Sequence, residues 1–405
     1  MRPWRSKTLP ECGCVPYEVG RIMIYLDHAA TCPLRRPVWD VMNQLVGEAD
    51  FNPASVHSPG GRAAAVLEQA RKEIATALQT ARSDILFTGG GTQSDNLAVL
   101  GFARANGGGA RLLVSAVEHK AVLEAARRAG AEGADVEVLP VDSTGWLDPQ
   151  TLEDRLSAAT DRATLVSVMW ANSEVGTVQP VGDLCGVAHR YGAFFHTDAV
   201  QACGKVPVSL EDVPADLLTV TAHKLGGPVG VGLLVRRGDV RLEPLAYGGS
   251  QERSMWPGTQ NPLGAVGFAE AVRLATSELP GSADRWRELR VGLEETLCDA
   301  IPRMTVHGGG APERLPQLLS VGIEDCDQAA LLTSLDLAGV ALSAGSACAS
   351  GASTGSHVLE AIGVRPVGPY AVLRFSFGPS TTATEVDAAA GEVVKSVRRI
   401  RGSDA

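Results

Sequence analysis

Short apolar runs alternate with amphipathic stretches along most of this chain. A strand-like run opens at Met23, in Met-Ile-Tyr-Leu-Asp-His-Ala-Ala-Thr. Val66 to Leu78 carries its apolar residues at helical spacing. Asp84 to Thr88 reads as a short buried strand, followed by Gly89-Gly-Gly-Thr92 and a helical stretch from Ser94 to Ala103. Further apolar strands are predicted at Arg111–Val117, Thr164–Trp170, Ala193–His196, Leu217–Val220 and Val231–Val235, with helical patterns between several of them. Such alternation predicts an α/β fold, a mostly parallel central sheet covered by helices. Parallel sheets place ligands at the carboxyl ends of their strands, so the chemistry is expected just after these runs.

From about Pro280 the texture changes. Glycine and proline punctuate Val306–Pro316, strands read at Leu318–Ile323 and Val372–Phe377, and helices at Gln328–Asp336 and Thr384–Arg399. This predicts a smaller α+β domain. The expected division is a large domain over 38–275 and a small one made of 23–37 plus 276–405. Residues 1–22 are mixed and without periodicity, so they are expected to be a tail, or the product of a start assigned too far upstream.

Composition narrows the class without naming a function. The 405 residues are 45 % hydrophobic and 20 % charged, an ordinary globular balance. No apolar run is long enough to span a bilayer. The formal charge of -10 argues against binding along a nucleic-acid backbone. Eight cysteines are scattered with no CxxC pair, so neither a disulfide framework, nor a zinc site or other metal centre, is expected. The start lacks the apolar core of a secretion signal, which makes a reducing cytoplasm the expected location.

Three segments carry candidate chemistry. Gly89-Gly-Gly-Thr-Gln93 takes a strand into a helix and exposes backbone N–H groups at the positive helix end, a phosphate cradle. Alone it reads sooner as a tight strand-to-helix turn. Asp198 ends an apolar strand in Phe194-Phe-His-Thr-Asp198-Ala-Val-Gln201. A buried carboxylate needs a partner, and either a pyridinium nitrogen or a helix N-terminus would serve. Lys224 sits between a strand and a Gly-Gly-Pro turn in Thr219-Val-Thr221-Ala-His223-Lys224-Leu-Gly-Gly-Pro228. Beside a bound cationic ring its amine becomes a usable nucleophile and base; without one it is an ordinary loop lysine.

Together the three segments resemble the fold-type I pyridoxal-phosphate (PLP) enzymes, in their class V aminotransferase-like branch. The resemblance runs from about Met23 to Val397. It extends to Leu26-Asp-His-Ala-Ala-Thr31, Thr92-Gln-Ser-Asp-Asn96, Glu118-His119, Trp170-Ala-Asn172-Ser-Glu-Val-Gly176 and Gly248-Gly-Ser-Gln-Glu-Arg253. Within the branch these segments look like the cysteine desulfurases. The resemblance implies that Lys224 holds PLP as a Schiff base and later moves the substrate Cα proton. It implies that Asp198 pairs with the ring nitrogen, that His119 stacks on the ring, and that Asn172 and Gln201 bond around the phenolic oxygen. Gly91, Thr92, Thr221 and His223 are expected to hold the phosphate. Thr259 is expected to reach the phosphate of a partner subunit, which implies a homodimer with shared sites.

The reaction is selected elsewhere. Leu342-Ser-Ala-Gly-Ser-Ala-Cys348-Ala-Ser-Gly-Ala-Ser-Thr-Gly-Ser-His357 is small, polar and glycine-rich, which predicts an exposed loop. The resemblance makes Cys348 the nucleophile that takes sulfur from L-cysteine as a persulfide, leaving alanine, and then passes it to a protein acceptor for iron-sulfur clusters or thiolated products. The Ser-Ala-Gly-Ser-Ala-Cys sequence is similar to the first desulfurase group. Arg374 is the expected clamp on the substrate carboxylate, with His28 and Ala29 close to the substrate. Two segments depart from the family pattern: Met255-Trp-Pro257-Gly-Thr259 lacks the usual basic residue, and Gly378-Pro-Ser-Thr381 replaces the usual Arg-Phe-Thr. These departures bear on the entrance and the acceptor. A selenocysteine lyase or other PLP-dependent C–S lyase is the alternative within the fold, and a scaffold for sulfur acceptors the alternative outside enzymology.

Overall fold

The computed structural model describes residues 15–17, 21–49, 51–107, 109–158, 161–345 and 355–402. In chain order the elements begin with β1 (Val15–Tyr17), β2 (Arg21–Tyr25), α1 (Arg36–Gln44), α2 (Ser58–Ala77), β3 (Ile85–Thr88) and α3 (Gly91–Ala105). There follow β4 (Arg111–Ser115), α4 (Lys120–Ala131), β5 (Asp135–Leu139), α5 (Pro149–Leu156), β6 (Thr164–Ser167), α6 (Val181–Arg190), β7 (Phe194–Asp198), β8 (Leu217–Thr221) and β9 (Gly232–Arg236). The chain ends with α7 (Pro262–Ala300), β10 (Met304–Val306), β11 (Leu318–Glu324), α8 (Gln328–Leu337), β12 (Val340–Ala341), α9 (His357–Ala361), β13 (Tyr370–Ser376) and α10 (Ala383–Ile400).

Seven strands form one sheet in the order β3-β9-β8-β7-β6-β4-β5. Pairing is parallel from β8 across to β5, and β9 alone runs against its neighbours. The mostly parallel sheet is therefore present. Its strands read as continuous apolar runs because both faces are covered. Successive residues point to opposite faces: Leu112, Leu165 and Leu217 pack under α3 and α4, while Leu113, Val166 and Leu218 pack on the other face with residues of α2, α5, α6 and α7. The chain steps from β4 outward to β5 and back to β6, so the crevice above the β4–β6 pair is a topological switch point.

A second core lies around the antiparallel sheet β10-β11-β13, packed against α8, α10 and the far half of α7. Helix α7 serves both cores. Phe268 and Val272 lie in the first, Trp286, Leu293 and Leu297 in the second. The expected boundary at 275/276 therefore falls inside a continuous helix, and the change of texture at Pro280 is not a break. Pro280 is exposed midway between the two buried stretches, so its missing N–H and the carbonyl it leaves unpaired face water.

Other differences are local. Helix α2 begins at Ser58, well before Val66, because Pro59 stands in its first turn and the His57 side chain caps it at Gly60 N–H, 3.2 Å away. Strand β5 was missed: it is an edge strand whose Asp and Glu residues hide the apolar pattern. Part of the expected tail is ordered into β1, which pairs antiparallel with β2. Among the described residues no helix is long and apolar enough to cross a membrane.

One close approach fixes the glycine-rich turn. A Cβ at Gly232 on β9 would stand 2.7 Å from the backbone of Gly90, which has a φ of 151° at the start of α3. Gly232→Ala should therefore push the turn off the sheet and cost roughly 1–3 kcal/mol of stability. An unchanged midpoint in urea unfolding would contradict this packing.

Candidate active site

The carboxyl ends of the parallel strands deliver the polar residues to one place. Beyond β4 come Glu118 and His119; β6 leads to Met169 and Ser173; β7 ends on Asp198 with Gln201 after it; β8 leads through Thr221 to His223 and Lys224. Helix α3 presents Gly91 and Thr92 at its first turn. All these residues line a cavity of about 690 Å³, together with Ala29 and with Arg374 from β13. That volume suits a cofactor plus a small substrate.

Lys224 ends a short 3-10 turn after β8. Its Nζ donates to the carbonyls of Ala29 at 2.5 Å and Ala30 at 2.8 Å. Burial is the main reason its amine is pushed down to about 8; Arg374 adds to the effect, while Asp27 and Asp198 oppose it. Asp198 accepts the Val200 N–H at 2.9 Å through Oδ1. Burial raises its carboxyl, and the His119 charge and the Val200 N–H pull it back. Two further buried carboxyls, Asp95 and Glu118, also line the cavity and feel the Asp198 charge. Burial pushes both carboxyls well above the ordinary carboxyl range. Glu118 Oε1 accepts the Met169 N–H at 2.6 Å, whereas Oε2 has no partner among the described residues.

His119 caps α4 by accepting the Ala121 N–H at 3.1 Å through Nδ1. Its ring is open to the cavity but enclosed by protein, and that enclosure lowers its pKa. The capping bond fixes Nδ1 as the acceptor and Nε2 as the free edge. His223 Nδ1 lies 2.8 Å from Thr31 Oγ1, and burial pushes the ring down to about 4, so it acts as a neutral hydrogen-bonding group. Thr221 donates to Val231 O at 3.2 Å. Gln201 Nε2 donates to Ala29 O at 2.9 Å.

Arg374 is buried. It donates through Nη2 to Asp27 Oδ1 at 2.8 Å and through Nη1 to Ser173 O at 3.0 Å. Its Nε has no partner among the described residues, which leaves the guanidinium a donor at the cavity wall. Asp27 sits within a segment quoted above, but its pairing with a residue 347 positions away had no local signal.

Three expected residues stand elsewhere. Asn172 is buried outside the cavity wall: Nδ2 donates to Val117 O at 2.9 Å, and Oδ1 accepts the N–H groups of Glu174 and Val175. Its amide is committed to the turn. His28 faces a separate small chamber beside Lys224, its ring packed on Gly378. Thr259 is exposed and away from the cavity of its own chain. Cys348 lies outside the described residues. The described residues on either side of its segment, Gly345 and His357, both line the cavity.

The aminotransferase class-V family model matches residues 24–389. The chain belongs to this family. It is 38 % identical to the putative cysteine desulfurase IscS 1 of Bacillus subtilis, over 93 % of this chain and 99 % of that one. The fold superimposes on a NifS-like protein with a TM-score of 0.84 at 33 % identity, covering 92 % of this chain and 98 % of the other. A structure of SspA in complex with cysteine aligns with a TM-score of 0.75 at 30 % identity, covering 88 % and 99 %. These class-V relatives span nearly their whole length here, so both cores and the cavity between them belong to the shared fold.

The placement of Asn172 is testable. Asn172→Ala would strand one buried carbonyl and two N–H groups, and should lower unfolding free energy by about 2–3 kcal/mol. A variant as stable as the parent in thermal melts would show that the turn does not depend on the amide.

Proposed function

We propose that the cavity holds pyridoxal 5'-phosphate and that the protein is a cysteine desulfurase, converting L-cysteine to L-alanine and delivering the sulfur to Cys348. The observation that carries the reading is the meeting of Lys224, Asp198, His119 and Arg374 on one cavity wall system, in a chain whose class-V relatives bear that name.

The donor set fits the cofactor. Gly91 and Thr92 offer first-turn N–H groups that have no intrahelical partner, and Thr221 and His223 flank them, a set suited to phosphate. Asp198, at the end of β7, suits a protonated ring nitrogen. Lys224 Nζ, half deprotonated near pH 8, is the amine placed to hold the aldehyde carbon. When bound, the pyridine ring supplies a sink for the electron pair released as the substrate Cα–H bond breaks. His119 would cover a ring face, and Gln201 would offer its amide to the phenolic oxygen.

The chain's own groups then divide the work. Arg374 holds the substrate carboxylate with donors that Asp27 and Ser173 leave free. Lys224 Nζ takes the Cα proton and returns it. The Cys348 thiolate attacks the substrate sulfur; the C–S bond breaks, Cys348 gains an S–S bond, and the carbon skeleton leaves as alanine after taking up a proton. Thr259 completes the phosphate site of a partner subunit in a homodimer. A protein acceptor then takes the persulfide sulfur. The cytoplasm is the compartment this chemistry suits.

Purified protein given L-cysteine and a thiol reductant should release alanine and sulfide in equal amounts. Cys348→Ala should abolish sulfide release while keeping the cofactor's absorbance, and Lys224→Ala should leave no borohydride-trapped adduct on the chain. Full-rate desulfuration by Cys348→Ala, or a marked preference for selenocysteine over cysteine, would overturn the assignment.

A further inference from the structure

Lys205 is a buried cation that the reaction above does not use. It follows the turn after β7 and is 9 % exposed. Its Nζ donates to two carbonyls, that of Lys224 at 3.0 Å and that of Cys203 at 3.4 Å. Among the described residues no carboxylate pairs with it. Glu278, on the wall of the small chamber alongside, is engaged by Arg35 at 2.7 and 2.9 Å. The chamber measures about 20 Å³, and His28, Cys32, Lys205 and Lys224 all line it. An ammonium buried without a counter-charge is costly, so this one calls for a role beyond packing.

We propose that Lys205 is a positioning residue for Lys224: its hydrogen bond to the Lys224 carbonyl holds the 3-10 turn, and its positive charge adds to burial and Arg374 in favouring the neutral, nucleophilic Lys224 amine. The proposal rests on the reading of Lys224 as the amine that holds the cofactor. A nucleophilic lysine beside a second cation is an established way of freeing its lone pair.

The surroundings of both amines bear this out. Facing Lys224 are Asp27 on the segment after β2, Asp198 at the end of β7, and Arg374 on β13. His119 and His223 also feel its charge. The two carboxylates favour the ammonium, while Arg374 and Lys205 oppose it. Facing Lys205 are Cys32, Cys203 and Arg35; burial lowers the Lys205 amine's own pKa, and the Arg35 charge adds to that. Burial raises the Cys32 and Cys203 thiols, so neither supplies a compensating thiolate. The Lys205 charge is thus spent on its neighbour's backbone and amine.

The test follows addition of pyridoxal 5'-phosphate to the cofactor-stripped full-length protein across pH, with borohydride trapping and mass mapping of the Lys224 adduct. Lys205→Met should move the midpoint of the adduct's pH profile upward by roughly one unit and slow adduct formation about tenfold at neutral pH. Lys205→Arg, which keeps the charge, should hold the parent midpoint. Lys205→Gln takes the place of the Met variant if that one does not fold. An unmoved midpoint in the neutral variants overturns the role of Lys205, as does an equal rise in Lys205→Arg. Absence of any Lys224 adduct in the parent protein instead overturns the cofactor reading, and the proposal with it.

Discussion

The structure depends on how one buried, irregular segment satisfies its polar groups. Residues 26–32 run between the two cores and belong to neither sheet. Leu26 N–H bonds to Ala341 O, and Ala29 N–H to Ser376 Oγ, which tie the segment to the smaller core. Cys32 N–H bonds to His223 O, and Ala29 O accepts from both Gln201 and Lys224, which tie it to the larger one. Buried backbone groups must be paired, so the seam has little freedom to shift. The same bonds aim Lys224 at the cavity and place Asp27 against Arg374. Catalytic geometry and the joining of the cores are therefore one set of hydrogen bonds.

Electrostatics in the cavity follow from burial more than from any single pair. It raises the Asp95 and Glu118 carboxyls, brings Lys224 toward a free amine, and disfavours charge on the His119 and His223 rings. Asp198 stands on one side of the cavity, and Arg374, paired with Asp27, on the other. A zwitterionic amino acid and a cationic ring both find an opposite partner across this field, which screening by solvent would flatten in an open site.

Much of this was legible in the sequence because it is local. The strand-end motifs around Gly91, Asp198 and Lys224 each combine an apolar run with a polar terminus, and parallel topology gathers such termini at one edge. The family resemblance added Arg374 and Cys348, which no periodicity marks. The unread parts depend on distance or on competition between local rules. Asp27 meets Arg374 only through tertiary folding. Asn172 lies between two residues that line the cavity, and its amide bonds to Val117 O across the sheet and to the turn that follows it. Lys205 resembled any lysine near a surface proline, since nothing in the neighbouring residues announces its burial. Helix α7 was obscured by Pro280, where solvent exposure lets the helix tolerate what an interior position would not.

That helix has a mechanical consequence. Its 39 residues make a rod about 58 Å long, anchored at one end in each core. The rod is stiff wherever its ladder of hydrogen bonds is complete and weakest at the rung that Pro280 removes. Any rocking of one core against the other is thereby concentrated at a single exposed turn, next to the small chamber where the seam residues His28 and Cys32 meet Lys224.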